Sequence, residues 1–231
     1  MKKTLWIVFV TGLAASAAQA DFVKGSQTAT IFGGFGGSSE RYDFRGPDEK
    51  PITGAGGAWG AQYLYYLDAA PAIALGADLN ASYNGNLRTD RLIANADATA
   101  RLKSTIEMII ARLAFPRGAV RPYLFVAVGA HQSSLLVSAR PLAGTTWSNG
   151  GTDSRVLIDE HEISLAIGYG IGLDLFFTES LFFGTELRGT RLAGTRPDIT
   201  PSGQALGFAL RDRRGASQGN VFLRLGWKFG A

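Results

Sequence analysis

Between His161 and Leu175 the chain alternates without a break. Ile163, Leu165, Ile167, Tyr169, Ile171, Leu173 and Leu175 take the odd positions, and Glu162, Ser164, Ala166, Gly168, Gly170, Gly172 and Asp174 the even ones. A helix would scatter both sets around its circumference, whereas a strand sends successive side chains to opposite faces. The segment therefore reads as a strand with one bulky apolar face and one small or polar face. Residues 73–83 repeat the pattern, with Ile73, Leu75, Ala77, Leu79, Ala81 and Tyr83 set against Ala74, Gly76, Asp78, Asn80 and Ser82.

Six further segments align with these two. Thr28 to Phe35 is short. Ala55 to Leu67 puts Trp59, Tyr63, Tyr65 and Leu67 on one face and Gly56, Gly60 and Gln62 on the other. Tyr123 to Ala130 and Leu181 to Leu187 follow. Val221 to Phe229 opposes Val221, Leu223, Leu225, Trp227 and Phe229 to Phe222, Arg224, Gly226 and Lys228. Lys103 to Leu113 is ambiguous: residues 88–115 hold neither Gly nor Pro, and Leu102, Ile106, Ile109, Ile110 and Leu113 fit a helix as well. Topology favours a strand there, because an eighth strand brings both chain ends to one side. The reading turns Ile106, Met108 and Ile110 outward and Glu107 inward, with an irregularity near Arg112.

Connections alternate in length. Asp68 to Pro71, Pro116 to Val120 and Thr178 to Ser180 are short; Gly36 to Thr53, Asn84 to Ala100, Gln132 to Asp159 and Arg191 to Gln218 are long and polar. Short and long connections on alternate sides suit a transmembrane β-barrel with turns in the periplasm and loops outside the cell. A soluble sandwich would turn the bulky face to its core and the small face to water. Glycine weakens a strand, and water gives no reason to choose it at 168, 170 and 172, whereas a narrow eight-stranded lumen does. Trp59, Tyr65, Tyr83, Trp227 and Phe229 suit the interfacial girdles of such a barrel. The expected fold is all-β: an eight-stranded antiparallel up-and-down transmembrane β-barrel.

Composition agrees once the faces are separated. The mean hydropathy of +0.07 averages an apolar outer face, a small and charged inner face, and polar loops. After the first twenty residues no apolar run approaches the roughly 20 residues of a membrane helix. The absence of cysteine excludes disulfide frameworks, thiolate metal sites and cysteine nucleophiles. Lys2 and Lys3, the apolar stretch Leu5 to Ala15 and Ala18-Gln19-Ala20 have the layout of a secretory signal cleaved after Ala20. Residues 1–20 are thus expected to be a leader and 21–231 the barrel domain. Removing the leader leaves 211 residues and lowers the formal charge from +4 to +2 by taking away its two lysines, which is no nucleic-acid signature.

The chain resembles the small eight-stranded outer-membrane barrels related to the OmpA transmembrane domain, OmpX and the opacity proteins. The resemblance rests on the Met1-Lys2-Lys3-Thr4 start and Ala18-Gln19-Ala20 end of the leader, on Arg121-Pro122-Tyr123 leading into a strand with Gly129, on the glycine-alternating strand before Thr178-Glu179-Ser180, and on the aromatic final strand. It spans essentially the whole mature chain. It implies a Gram-negative outer-membrane location with both termini in the periplasm, and recognition by the barrel-insertion machinery through Trp227 and Phe229. The family usually ends on an aromatic residue, whereas Gly230 and Ala231 follow here. The peptidoglycan-binding domain of OmpA itself is not expected.

The inward phase is expected to carry Asp78, Glu107, Glu162, Asp174, Glu186, Arg188, Arg224 and Lys228. Charges of both signs in a low-dielectric interior must pair; the result is either a structural plug or a narrow gated pore, and eight strands favour the plug. His131-Gln132-Ser133 raises a third possibility, a lipid A acyl hydrolase with an imidazole-activated hydroxyl, which the flanking residues support poorly. Glu160, His161 and Glu162 could face His131 across the third hairpin. The glycine-rich Gly33 to Gly37 lacks a following Gly-Lys-Ser/Thr and reads as close packing, not a phosphate loop. Arg191, Arg196, Arg211, Arg213 and Arg214, against Asp198 and Asp212, could bind lipopolysaccharide phosphates or simply be solvated. The preferred function is non-enzymatic envelope or adhesion-like surface interaction through long loops, without cofactor or metal. The expected partners are outer-membrane lipid and lipopolysaccharide, the insertion machinery and a host or surface ligand. Nucleic acid is not expected, and the chain is expected to be a monomer.

Overall fold

The computed structural model describes residues 22–41, 52–69, 72–88, 96–115, 117–147, 150–193, 200 and 214–230. Eight strands account for nearly all of them: β1 (Gln27–Arg41), β2 (Ile52–Ala69), β3 (Ala72–Arg88), β4 (Ala96–Ala114), β5 (Val120–Pro141), β6 (Arg155–Phe176), β7 (Leu181–Leu192) and β8 (Arg214–Phe229). Each pairs antiparallel with its neighbours in sequence, and β8 closes on β1 through Phe229↔Gln27 to Ser217↔Ser39. Closure leaves no edge within the wall and satisfies every backbone group there, as hydrocarbon requires.

The register fixes the barrel's dimensions. A path perpendicular to the strands runs Leu181, Trp227, Ala29, Tyr63, Ala77, Ile109, Val128, Ile167 and returns to β7 at Arg191, ten residues beyond its start. A shear of ten on eight strands tilts each strand by about 40° and leaves a lumen just wide enough for side chains. Every residue on that path faces outward and is apolar except the last.

Glycines on the inner face make room for rings. A Cβ at Gly172 would overlap the Tyr123 ring, and one at Gly226 the Phe182 ring. The inner faces of β1, β5 and β8 fill the middle of the lumen with Phe32, Phe125 and Phe222, all buried. At the end holding the short connections, Phe22 folds back under the barrel. Its ring stacks on Tyr66 with centroids 4.0 Å apart and meets Phe176 edge-on at 5.7 Å. Ser26 accepts from the Tyr66 N–H and Gly25 donates to the Tyr66 carbonyl, both at 2.9 Å, which holds this segment against β2.

The strand over Lys103 to Leu113 is present, but with the opposite phase. Ile106, Met108, Ile110 and Arg112 are buried in the lumen, and Glu107 is exposed on the outer face beside Leu79 and Ala130. Bulky apolar residues occupy both faces of β4, so its own pattern cannot choose. Its neighbours choose for it, because residues opposite one another share a face: Met108 stands against Asp78 and Gly129, and Arg112 against Ala74 and Phe125. An outward arginine costs about 2–4 kcal/mol near mid-membrane and an outward carboxylate less, which favours the same phase. The irregularity expected near Arg112 is absent; pairing is continuous there, and the shift in the β3–β4 ladder lies between Asn84 and Leu87.

The strands also outrun their expected ends. β5 and β6 pair from Val120↔Leu175 to Ala139↔Arg155, so the connection expected over Gln132 to Asp159 shrinks to residues 142–154. Arg191 lies on β7 and Arg214 on β8, not in a loop. Ladder bonds persist because Leu135, Val137 and Ala139 keep pointing inward after the outward positions turn polar at Gln132. The outward aromatics sit as expected, with Tyr65, Trp227 and Phe229 towards the end holding the short connections and Trp59 and Tyr83 towards the other.

Candidate functional site

The centre of the lumen is a closed circuit of ions. Arg188 on β7 grips Asp78 on β3 bidentately, Nη1 to Oδ1 at 2.6 Å and Nη2 to Oδ2 at 2.8 Å, and donates from Nε to Glu186 Oε1 at 2.8 Å. Glu186 Oε2 accepts from the Tyr123 hydroxyl at 2.8 Å and lies 3.4 Å from Arg224 Nη1. Arg224 Nη2 donates to Gln62 Oε1 at 2.7 Å, and Gln62 Nε2 returns to Asp78 Oδ2 at 2.9 Å. Outside this ring, Asp174 accepts from Arg112 and lies 3.3 Å from Arg224 Nη1, which also donates to the Tyr123 hydroxyl.

Seven strands supply these groups, and β1 supplies Phe32, whose ring centre lies 5.0 Å from the Arg188 guanidinium. Phe125 and Phe222 flank the same guanidinium at 5.2 Å. All the charged members are buried. Desolvating a charge is repaid only by well-formed partners, and the bidentate grip of Arg188 on Asp78 provides them for that pair. Towards the short connections, Arg121 stands opposite Asp174, with its guanidinium between the Phe22 and Phe176 rings at 4.2 and 4.5 Å. The circuit and this aromatic floor occupy the middle of the lumen and its end at the short connections.

Of the eight residues expected in the lumen, five meet here: Asp78, Asp174, Glu186, Arg188 and Arg224. Glu162 is half-buried on the inner wall higher up, opposite Ser133, and Lys228 is half-buried near the short connections, opposite Thr28. Glu107 faces outward and takes no part. Gln62, although placed inward, was not expected as a member, and Arg112, Arg121 and Tyr123 were missed. The alternation of β5 groups Tyr123 with Phe125 on the inward face, and continuing it downward finds Arg121. Arg112 required the phase of β4, which only pairing supplies.

His131 lies within the lumen, as its phase requires, but its neighbours are two other hydroxyls. Ser104 Oγ is 2.6 Å from Nε2, Ser164 Oγ 3.3 Å from Nδ1, and Gln218 Nε2 donates to Ser104 at 3.2 Å. Ser133 points inward opposite Glu162, one ladder step away, while His161 is on the outer face 3.7 Å from Asp159. Four side chains from β4, β5, β6 and β8 thus tie the upper wall together.

Above this level the wall becomes uneven. β7 ends opposite Ala166, whereas β6 continues to Arg155, so roughly 36 Å of strand, or roughly 28 Å along the barrel axis, rises past β7. β4 and β5 rise with it, paired from Ala96↔Pro141. The inner face of this three-stranded projection buries Leu102, Leu135, Val137 and Ala139; its outer face exposes Arg101, Lys103 and Arg140. Thr200 reaches the β6 edge, donating from N to the Leu157 carbonyl at 3.2 Å and from Oγ1 to the Val156 carbonyl at 2.8 Å. Trp147 is buried near the tip, its indole N–H on the Asp153 carbonyl and Arg155 over its ring. Of the expected basic loop, Arg191 is exposed on the outer face of β7, the side chain of Arg214 is not described, and Arg196, Arg211 and Arg213 fall outside the described residues.

Comparison with known proteins gives a family. The solved structures of similar shape include OprG from Pseudomonas aeruginosa (14% identity, 90% of this chain and 99% of that chain, TM-score 0.47), Neisserial surface protein A (12%, 89% and 99%, 0.44) and Ail from Yersinia pestis (14%, 90% and 100%, 0.42). No curated protein matches the sequence. The profile of the outer membrane protein β-barrel domain, however, matches residues 6–229, almost the entire chain. With a closed eight-stranded antiparallel barrel whose outward face is apolar, the chain belongs to the outer membrane protein β-barrel domain family.

Proposed function

We propose that this outer-membrane barrel is a non-enzymatic surface protein that makes its contacts through the β4–β5–β6 projection, with its termini in the periplasm and its lumen sealed. The observation that carries the reading is the 22-residue length of β5 and of β6 against 12 for β7. A membrane span needs only 9–11 residues per strand, so half of the hairpin has no use within the bilayer. Residues exposed on a rigid sheet hold a fixed contact surface without the ordering entropy of a mobile loop. The buried ion circuit supports a sealed lumen over a pore. The burial of His131 with its hydroxyl partners Ser104 and Ser164 supports a structural role over acyl hydrolysis.

The test uses intact cells. Since the chain lacks cysteine, Thr152→Cys gives a single label site at the projection's tip. A membrane-impermeant maleimide should label it on whole cells, and labelling only after lysis would refute the orientation. Replacing residues 134–161 by a tight turn should abolish attachment of expressing cells to host surfaces while heat-modifiable folding persists. Attachment equal to that of the intact protein would refute the assignment of contact to the projection.

A further inference from the structure

Glu107 is an exposed carboxylate on a face that is otherwise apolar at its height. Leu79 and Ala130 flank it across β3 and β5, and Ile109 follows it on β4. It stands at the upper end of a shallow furrow that winds down the outer wall between two rows of side chains, past Leu79, Ile109 and the small residues Ala77 and Ala61. Above it on the same outward face are Lys103 and Arg101, both exposed, with Tyr83 directly opposite Lys103. Four residues of tilted strand separate Lys103 from Glu107, a depth difference of about 10 Å.

This order of chemistry along the membrane normal is specific: two cations and a phenol at the boundary, an acceptor about 10 Å deeper, and a furrow for chains beneath. We propose that it is a seat for one lipid A molecule of the outer leaflet. Lys103 and Arg101 face its phosphates, Glu107 accepts from an amide N–H or acyl hydroxyl in the layer below, and acyl chains follow the furrow past Ala77. A phospholipid has the phosphate and the chains, but no donor at the depth of Glu107 in its ester-linked glycerol. Charge complementarity at two depths therefore selects the occupant. The inference rests on the orientation proposed above, which surface labelling at Thr152→Cys tests by itself.

The experiment folds the protein into phosphatidylcholine vesicles with an equal molar fraction of either bisphosphorylated lipid A or phosphatidylglycerol, and follows the heat-unfolding midpoint by gel mobility. Lipid A should raise the midpoint more than phosphatidylglycerol does, and Arg101→Ala with Lys103→Ala should remove most of that difference. Glu107→Leu should raise the midpoint in pure phosphatidylcholine, by removing a lipid-facing charge, yet reduce the increment from lipid A. A residue with only a structural role would not move those two readings in opposite directions. Equal increments from both lipids would overturn the proposal, as would an increment untouched by the double variant. So would its loss in Arg191→Ala, three strands away, in place of the β4 variants.

Discussion

Arg112 and Glu107 stand five residues apart on one strand and point to opposite sides of the wall. The odd separation alone requires opposite faces, and the register decides which is which: Arg112 meets Asp174 in the lumen, and Glu107 is exposed on the outer wall. Within the lumen, Glu186 is the member whose loss is felt most, because Arg188, Arg224 and Tyr123 all converge on it. Glu186→Gln keeps the volume but leaves two buried guanidinium groups short of countercharge. It should lower stability by about 3–5 kcal/mol, measurable as a reduced urea midpoint in lipid vesicles. Asp78, Asp174, Glu186, Arg188 and Arg224 could be foreseen as inward from local alternation. That they form one circuit could not, since Asp78 and Arg188 are 110 residues apart and meet across the barrel.

Among the elements, β4 shows how a strand inherits its phase. The alternations of β3 and β6 are legible because one face is bulky and the other small; β4 has Ile106, Met108 and Ile110 on one face and Ile109 and Leu113 on the other. Pairing with β3 and β5 fixes what local pattern leaves open, since a slip of one residue would expose Arg112 on the outer face and drive Glu107 into the lumen. Single cysteines test this directly in a chain that has none. A lipid-soluble, membrane-confined maleimide should modify Ile109→Cys and spare Met108→Cys and Ile110→Cys in folded protein. The reverse pattern would restore the phase read from sequence. Strand ends were illegible for a related reason. Outward residues turn polar where the wall leaves the membrane, which looks like a loop, although the ladder and the inward apolar residues continue.

At the scale of the whole molecule, a shear of ten on eight strands sets a narrow lumen with room for little beyond side chains. The ion circuit, the Phe32, Phe125 and Phe222 rings, and the floor of Phe22, Tyr66 and Phe176 lie within it and support the proposed sealed state. Planar-bilayer recordings should therefore show no steps above background for the native protein. Glu186→Gln should leave them silent as well, because the aromatic layers remain; discrete conductance in either would favour a gated pore. The sequence by itself determined the strand number, the closed antiparallel order and the two-faced wall, because period two and alternating connection lengths are local properties that survive without neighbours. The tertiary structure alone decided the phase of β4, the partners of each buried charge, and the height of the β4–β5–β6 projection. Those depend on register, and register is a relation between strands that no single segment carries.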